Sequence, residues 1–172
     1  MLKKLSTHVG NGKLISIYAD TDDPESFAVG FLIQINKNNI LLNLVNRAGE
    51  ETGLYLFNTK NVFMFSYEED YFEKIEKLFK IKNQQRRNIP NLDSNLVASL
   101  FKYAFKNHLI VEVNNDYMGF IENFTDDVLE MKLIDNCGNK IGISNIDMDK
   151  IDSIKFQSRY LNDIELLVNS SK

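Results

Sequence analysis

The fold is decided by a stretch of fifty residues, 30–79, which reads GFLIQINKNNILLNLVNRAGEETGLYLFNTKNVFMFSYEEDYFEKIEKLF. Residues 119–168 match this stretch without a gap at an offset of 89. The identical pairs include Gly30/Gly119, Gly49/Gly138, Gly53/Gly142, Tyr71/Tyr160 and Glu76/Glu165. A register kept over this length, with glycines coinciding, predicts duplication of one structural unit.

Each copy of the repeat predicts five short strands. Apolar runs between turn signals place them at 13–19, 27–35, 40–46, 54–57 and 61–67 in the first copy. In the second copy they fall at 108–113, 117–124, 128–134, 140–146 and 151–156. Short, strongly bent strands joined by tight turns are typical of a small five-stranded barrel of the SH3 or Sm type.

Apolar residues at helical spacing predict three helices, at about 68–82, 95–106 and 158–168. The expected fold class is therefore mainly β with α, made of two tandem Sm-like (SH3-like) five-stranded barrels, each followed by a helix. The first domain is expected at 1–82 and holds the first barrel and its helix. A polar linker follows at 83–92, and the second domain, 93–172, holds a helix, the second barrel and the C-terminal helix.

The charge balance bears on the class of ligand. The chain has 24 Asp and Glu against 20 Lys and Arg, a net charge of −4. Phosphate contacts dominate nucleic-acid affinity, so this balance disfavours a nucleic-acid partner. Cys137 is the only cysteine, which excludes an intramolecular disulfide and suits a reducing compartment. Because no apolar run reaches the length of a signal peptide or membrane span, we expect a cytoplasmic protein without membrane contact.

Patterns for catalysis or metal binding are weak throughout the chain. No Cys and His residues stand at metal-ligand spacing, so we expect no metal site. Cys137 aligns with Ala48, which favours a small turn residue over a nucleophile. Glu76 and Glu165 lie beside the apolar stripe of a predicted helix, which favours a salt link from helix to barrel. We expect a non-enzymatic protein with no cofactor.

Two tight turns carry a resemblance to a known family. Residues 58–62 (NTKNV) and 147–151 (DMDKI) stand before the last strand of each copy, where Sm-like proteins place the turn of their second motif. The order of strands and turns also resembles Sm-like small barrels. The complete unit looks like a group of uncharacterised tandem-barrel proteins of low-GC bacteria.

The resemblance implies strand edges that pair with other barrels and, in RNA-binding members, a basic residue and a glycine in the last turn. The glycine is missing from both copies here. Asp147 and Asp149 stand where positive charge would help, whereas the first copy keeps Lys60. The first copy is therefore the better candidate for RNA.

Our first hypothesis is a non-enzymatic binding or assembly module that meets a protein partner, or a second copy of itself, through its strand edges. The alternative is a regulator associated with RNA or single-stranded nucleic acid, which also needs exposed aromatic side chains such as Tyr55 and Tyr67 to stack bases. An enzyme ranks third, because it would need an acid-lined cleft between domains. The candidate contact residues are Lys37, Arg47, Asn58, Lys60, Asn61, Arg86 and Arg87.

Function is expected where the two copies differ, since whatever both copies keep is explained as scaffold. The differences are the acidic loop at 20–26, the turn that carries Lys60 in one copy and Asp149 in the other, and the linker with Arg86 and Arg87.

Overall fold

A computed structural model describes residues 1–19, 23, 25–90 and 92–170. The chain separates into two compact units, 1–88 and 89–172, which we call the first and second unit and describe one at a time. Most of the acidic loop at 20–26 lies outside the described residues. The units are built mainly of antiparallel strands with helices at their ends, so the mainly β class with α is confirmed.

The first unit is an antiparallel array of five strands in the order β5-β1-β2-β3-β4. A short helix precedes the array and a longer helix follows it. The elements are α1 (Leu2–Ser6), β1 (Leu14–Tyr18), β2 (Ala28–Ile35), β3 (Asn39–Val45), β4 (Glu51–Asn58), β5 (Met64–Tyr67) and α2 (Asp70–Ile81), with a 3₁₀ turn (Thr59–Asn61) between β4 and β5.

The second unit has the same order of elements, with its strands arranged β10-β6-β7-β8-β9. A 3₁₀ turn (Met148–Lys150) again precedes the last strand. The elements are α3 (Leu96–Lys106), β6 (Ile110–Val113), β7 (Tyr117–Phe124), β8 (Val128–Ile134), β9 (Lys140–Asp147), β10 (Ser153–Phe156) and α4 (Arg159–Ser170). The three predicted helices are therefore confirmed as α2, α3 and α4, and α1 was not predicted.

The expected closed barrels are wrong, because each five-stranded array is open. A barrel closes only when its two outer strands also pair. After the 3₁₀ turn, β5 crosses to pair with β1, and β10 likewise pairs with β6. Within the described residues, no ladder joins β4 to β5 or β9 to β10. The last strand of each unit has only four residues, and the crossing pairs all four of β5 with β1 and three of β10 with β6.

The repeat is reproduced in backbone detail. A β-bulge interrupts β2 between Leu32 and Gln34, and another lies at the corresponding place in β7. At Gly30 and Gly119, a Cβ atom would collide with the backbone carbonyl of the neighbouring strand. The close backbone approach expected of a mid-strand glycine is therefore present in both units.

Helix α2 packs its apolar stripe on the sheet of the first unit. Phe72, Ile75 and Phe79 are buried together with Leu14 and Val45. Burying a side chain of this size contributes about 1.5–3 kcal/mol, so three of them outweigh the modest helix propensity of a twelve-residue segment. Asp70 and Glu73 in the first turn and Lys80 in the last turn also complement the helix dipole.

Helix α4 repeats this packing in the second unit, where Leu161 and Ile164 are buried against Ile110 and Ile134. The short helix α1 contributes a single side chain, Leu5, which is fully buried in the core of the first unit. Two leucines in five residues, of which only Leu5 is buried, give no periodic pattern, which is why the sequence did not indicate this helix.

Candidate functional site

The two glutamates that the repeat keeps belong to the scaffold. Glu76 Oε1 accepts a hydrogen bond from the backbone N–H of Leu14 at 3.0 Å. Glu165 Oε1 accepts the same bond from Ile110 at 2.8 Å. Each carboxylate therefore ties its helix to the first strand of its unit. The expected salt link is seen at Glu76, whose Oε2 lies 3.8 Å from Lys13 Nζ, whereas the bond that both units share is made by a strand backbone group.

In the first unit, two turns that follow different strands come together. The hydroxyl of Thr59 donates to the carbonyl of Lys37 at 2.7 Å, and the Thr59 N–H donates to the carbonyl of Asn38 at 2.8 Å. The Asn58 side chain accepts from the Lys60 N–H at 3.0 Å and shapes the 3₁₀ turn. We call residues 36–38 with 58–61 the first turn pair. It unites four of the predicted contact residues, namely Lys37, Asn58, Lys60 and Asn61.

The corresponding surface of the second unit has the same backbone and the opposite charge. The Met148 N–H donates to the Asp127 carbonyl at 2.9 Å, and Asp147 Oδ1 accepts from the Asp149 N–H at 2.9 Å. We call residues 125–127 with 147–150 the second turn pair. It borders an open cavity of about 530 Å³ whose lining includes Asp126, Asp127, Asp147 and Asp149. A nucleic-acid backbone would meet four carboxylates here.

Arg86 and Arg87 are packed against the sheet of the first unit. Arg87 Nε lies 2.7 Å from Glu51 Oε1, and the Arg87 N–H donates to the Oδ1 of the fully buried Asn43 at 2.7 Å. The Asn43 side-chain amide completes the network by donating to Glu51 at 2.8 Å. The Arg86 guanidinium lies 5.2 Å from the centre of the Phe31 ring. These contacts hold the segment after α2 on the sheet.

Arg47 stands in a third place, the turn between β3 and β4. It borders a cleft of about 350 Å³ in the first unit. The other lining residues are Glu25, Ser26, Phe27, Val29, Val45, Asn46 and Tyr71. The seven predicted contact residues are thus spread over a turn pair, a packed segment and a cleft, and their contact with any ligand stays a prediction.

The two tyrosines considered for base stacking are less exposed than two phenylalanines. Tyr55 and Tyr67 are partly buried against the core of the first unit. Phe27 and Phe63 are instead well exposed, and their rings lie 5.1 and 6.2 Å from the ring of Tyr18. The residues aligned with Phe27 and Phe63 in the second unit are aspartates, which the repeat comparison alone could have revealed.

Two outer strands expose apolar side chains. On β9, Ile141 and Ile143 are 65% and 66% exposed. The residue aligned with Ile143 is Leu54 on β4, which is 1% exposed. On β5, Phe63 just before the strand and Met64 at its start are both 42% exposed. The sequence did not predict that β9 exposes this position and β4 buries it, because both segments have the apolar pattern of the same repeat.

Several other kinds of site find no support among the residues that the structure describes. No group of three or more His, Cys, Asp or Glu side chains is placed to hold a metal ion in this part of the chain. None of its helices combines the length and the apolar character needed to cross a bilayer. Comparisons with protein-family models, curated proteins and solved structures returned no match to the chain.

Proposed function

We propose that this protein is a non-enzymatic assembly module that associates with further copies of itself through its strand edges. In this arrangement β9 of one copy pairs with β5 of another and extends the antiparallel array. The observation that carries the proposal is the exposure of Ile141 and Ile143 on an outer strand. An apolar outer strand presents unpaired backbone N–H and C=O groups and exposed apolar side chains at the same edge. Proteins usually protect such an edge unless another strand pairs with it.

The free energies of side-chain burial and of association favour a contact that uses both edges. Full burial of an isoleucine is worth about 1.5–3 kcal/mol, so the two isoleucines together supply less than about 6 kcal/mol. Loss of translational and rotational freedom on association costs about 4–15 kcal/mol. Additional burial of Phe63 and Met64, together with the new backbone ladder, is needed to give net affinity.

The two edges are unlike each other, which determines the kind of assembly. A contact between β9 and β5 is heterologous, so one copy keeps a free β5 and the other a free β9 for further neighbours. Such contacts build a ring when the rotation closes and a filament when it does not. The proposal therefore predicts species larger than a dimer.

Light scattering coupled to size-exclusion chromatography tests this proposal over a range of protein concentrations. The average mass of the natural protein should rise with concentration. The double variant Ile141→Lys, Ile143→Lys should stay at the mass of one chain, because charged edge residues oppose pairing. A matched control is Leu166→Lys on α4, which is 68% exposed and should behave as the natural protein. A natural protein that stays monomeric at every concentration rules out the proposal.

A second candidate function is binding of single-stranded nucleic acid at the first turn pair. It is favoured by the exposed Phe27 and Phe63, since stacking on aromatic rings adds about 1–3 kcal/mol per base. Lys37 supplies a phosphate contact on the same unit. Fluorescence anisotropy with mixed-sequence RNA at low salt should show binding that Lys37→Glu weakens at least fivefold. Lys132→Glu in the second unit is the control, and equal loss in both variants argues against a site at the first turn pair.

A further inference from the structure

The cleft beside Arg47 combines a charged rim with an apolar floor. Val45 is buried in the cluster beneath α2, and Val29 packs against the same cluster. Phe27 and Tyr71 stand at the sides of the cleft and are more than one-third exposed. Small-molecule sites combine apolar and aromatic walls with placed polar groups, and half of the residues that line this cleft are polar or charged. A volume of about 350 Å³ suits a small ligand.

Two opposite charges line this cleft without neutralising each other. Glu25 contributes a carboxylate and Arg47 a guanidinium. Among the described residues, neither side chain has an ion-pair partner within 4.0 Å. A guanidinium matches a carboxylate in bidentate geometry, and a carboxylate accepts from an ammonium group. The cleft can therefore receive both ends of a zwitterion.

The turn that carries Arg47 is rigid. Asn46 Oδ1 accepts hydrogen bonds from the N–H groups of Ala48 at 2.9 Å and Glu50 at 3.0 Å. Gly49 adopts a φ of 71° and packs so closely on α2 that a Cβ atom would collide with Leu78. The turn is thereby fixed against the helix that presents Tyr71. A supported turn of this kind lowers the ordering cost of binding.

The second unit keeps the scaffold of the cleft but not its chemistry. Tyr160 takes the place of Tyr71, and the turn at Asp135 is closed by the same side-chain bonds as at Asn46. Arg47, however, is replaced by Asn136 and Phe27 by Asp116. The cation and one aromatic wall are therefore features of the first unit alone.

We propose that the cleft binds a free α-amino acid with an aromatic side chain. Arg47 would hold the carboxylate, Glu25 the ammonium group, and Phe27 and Tyr71 the ring, above the floor of Val29 and Val45. The inference is independent of assembly through strand edges. Because the cleft is open to solvent, we expect a Kd on the order of 1 mM.

Nuclear magnetic resonance of the ¹⁵N-labelled full chain, titrated with L-phenylalanine, tests this inference. We expect saturating shifts at the amides of Phe27, Val29, Asn46 and Tyr71. N-acetyl-L-phenylalanine lacks the ammonium group and L-phenylalanine amide lacks the carboxylate, so each should bind at least fivefold more weakly. The dipeptide Gly-Phe, in which the phenylalanine nitrogen is an amide, should likewise bind at least fivefold more weakly, and tighter binding than free phenylalanine would contradict the inference.

Variants identify the residues responsible. Arg47→Ala should weaken phenylalanine binding at least tenfold, and Glu25→Gln at least threefold. Asn136→Ala, at the aligned position of the second unit, should leave it unchanged. The inference is overturned if no saturating shifts occur up to about ten times the expected Kd, if they fall outside the cleft, or if Arg47→Ala binds normally. Equal binding of N-acetyl-L-phenylalanine overturns the zwitterion assignment.

Discussion

The first and second turn pairs have the same backbone and opposite charge. Thr59 and Met148 each donate their N–H to a carbonyl of the neighbouring turn, at 2.8 and 2.9 Å. Lys37 and Lys60 in one unit correspond to Asp126 and Asp149 in the other. The bonds that shape these turns come from backbone groups and short polar side chains, so they do not restrict the exposed side chains. One scaffold can therefore present a basic or an acidic surface.

Corresponding strands of the two units likewise share some residues and differ in the exposure of others. Gly30 and Gly119 play one structural role in both units, whereas Leu54 is buried and the aligned Ile143 is exposed. Shared residues are explained by the fold of each unit, and residues that differ are free to serve contacts with other molecules. Substitutions that act equally or unequally on the two units can test this division.

The largest expected effect is at the mid-strand glycines. Gly30→Ala and Gly119→Ala should each destabilise the protein by about 3 kcal/mol or more, because the new methyl group meets rigid backbone. Denaturant unfolding followed by circular dichroism measures the loss. Gly142→Ala is the matched control, since nothing lies within 4 Å of its added Cβ atom and its stability should change little. Tolerance at Gly119 but not at Gly30 would break the equivalence of the two units.

A smaller effect is expected at the buried Asn43, whose aligned position in the second unit holds Lys132. Asn43→Ala should cost about 2 kcal/mol, because it removes the acceptor of the Arg87 N–H and the donor to Glu51. Lys132→Ala at the aligned position should change the unfolding free energy by less than about 0.5 kcal/mol. Equal losses at the two positions would show that this network does not distinguish the units.

The sequence predicted most of the secondary structure because periodicity and turn residues are local signals. The stripe of α2 and the coincident glycines of the repeat are of this kind. Closure of the barrels was wrong because it depends on whether two outer strands meet, which is a long-range property. Helix α1 was missed because only Leu5 contacts the core.

The candidate surfaces were less predictable than the fold. The turns of Lys37 and Lys60 meet because of the order of the strands, whereas the sequence indicated the two residues only as candidate contact residues. The contacts of Arg87 with Glu51 and Asn43 could not be anticipated, since they join residues far apart in the chain. Only an exposed aromatic ring can contact a ligand, and the structure exposes Phe27 whereas Tyr55 is partly buried against the core.

The smallest stability effect is expected at the glutamates that tie each helix to its sheet. Glu76→Gln and Glu165→Gln should each cost about 1 kcal/mol, because a charge-assisted bond to a strand N–H becomes a neutral one. Glu73→Gln, at an exposed position, is the control and should change the free energy of unfolding least. Parallel thermal and denaturant melts of the three variants measure these differences. Loss at only one of the two aligned positions would contradict a shared scaffold role.

Disulfide trapping tests assembly through unlike edges most directly. Met64→Cys on β5 is mixed in turn with Ile141→Cys and Ile143→Cys on β9, all in chains that carry Cys137→Ser to remove the exposed native thiol. Paired strands lie about 4.8 Å apart, within the Cα separation that a disulfide spans. After mild oxidation, the account predicts that dimers joining β5 to β9 dominate. Dimers in statistical proportions, or no trapped dimer, would contradict it.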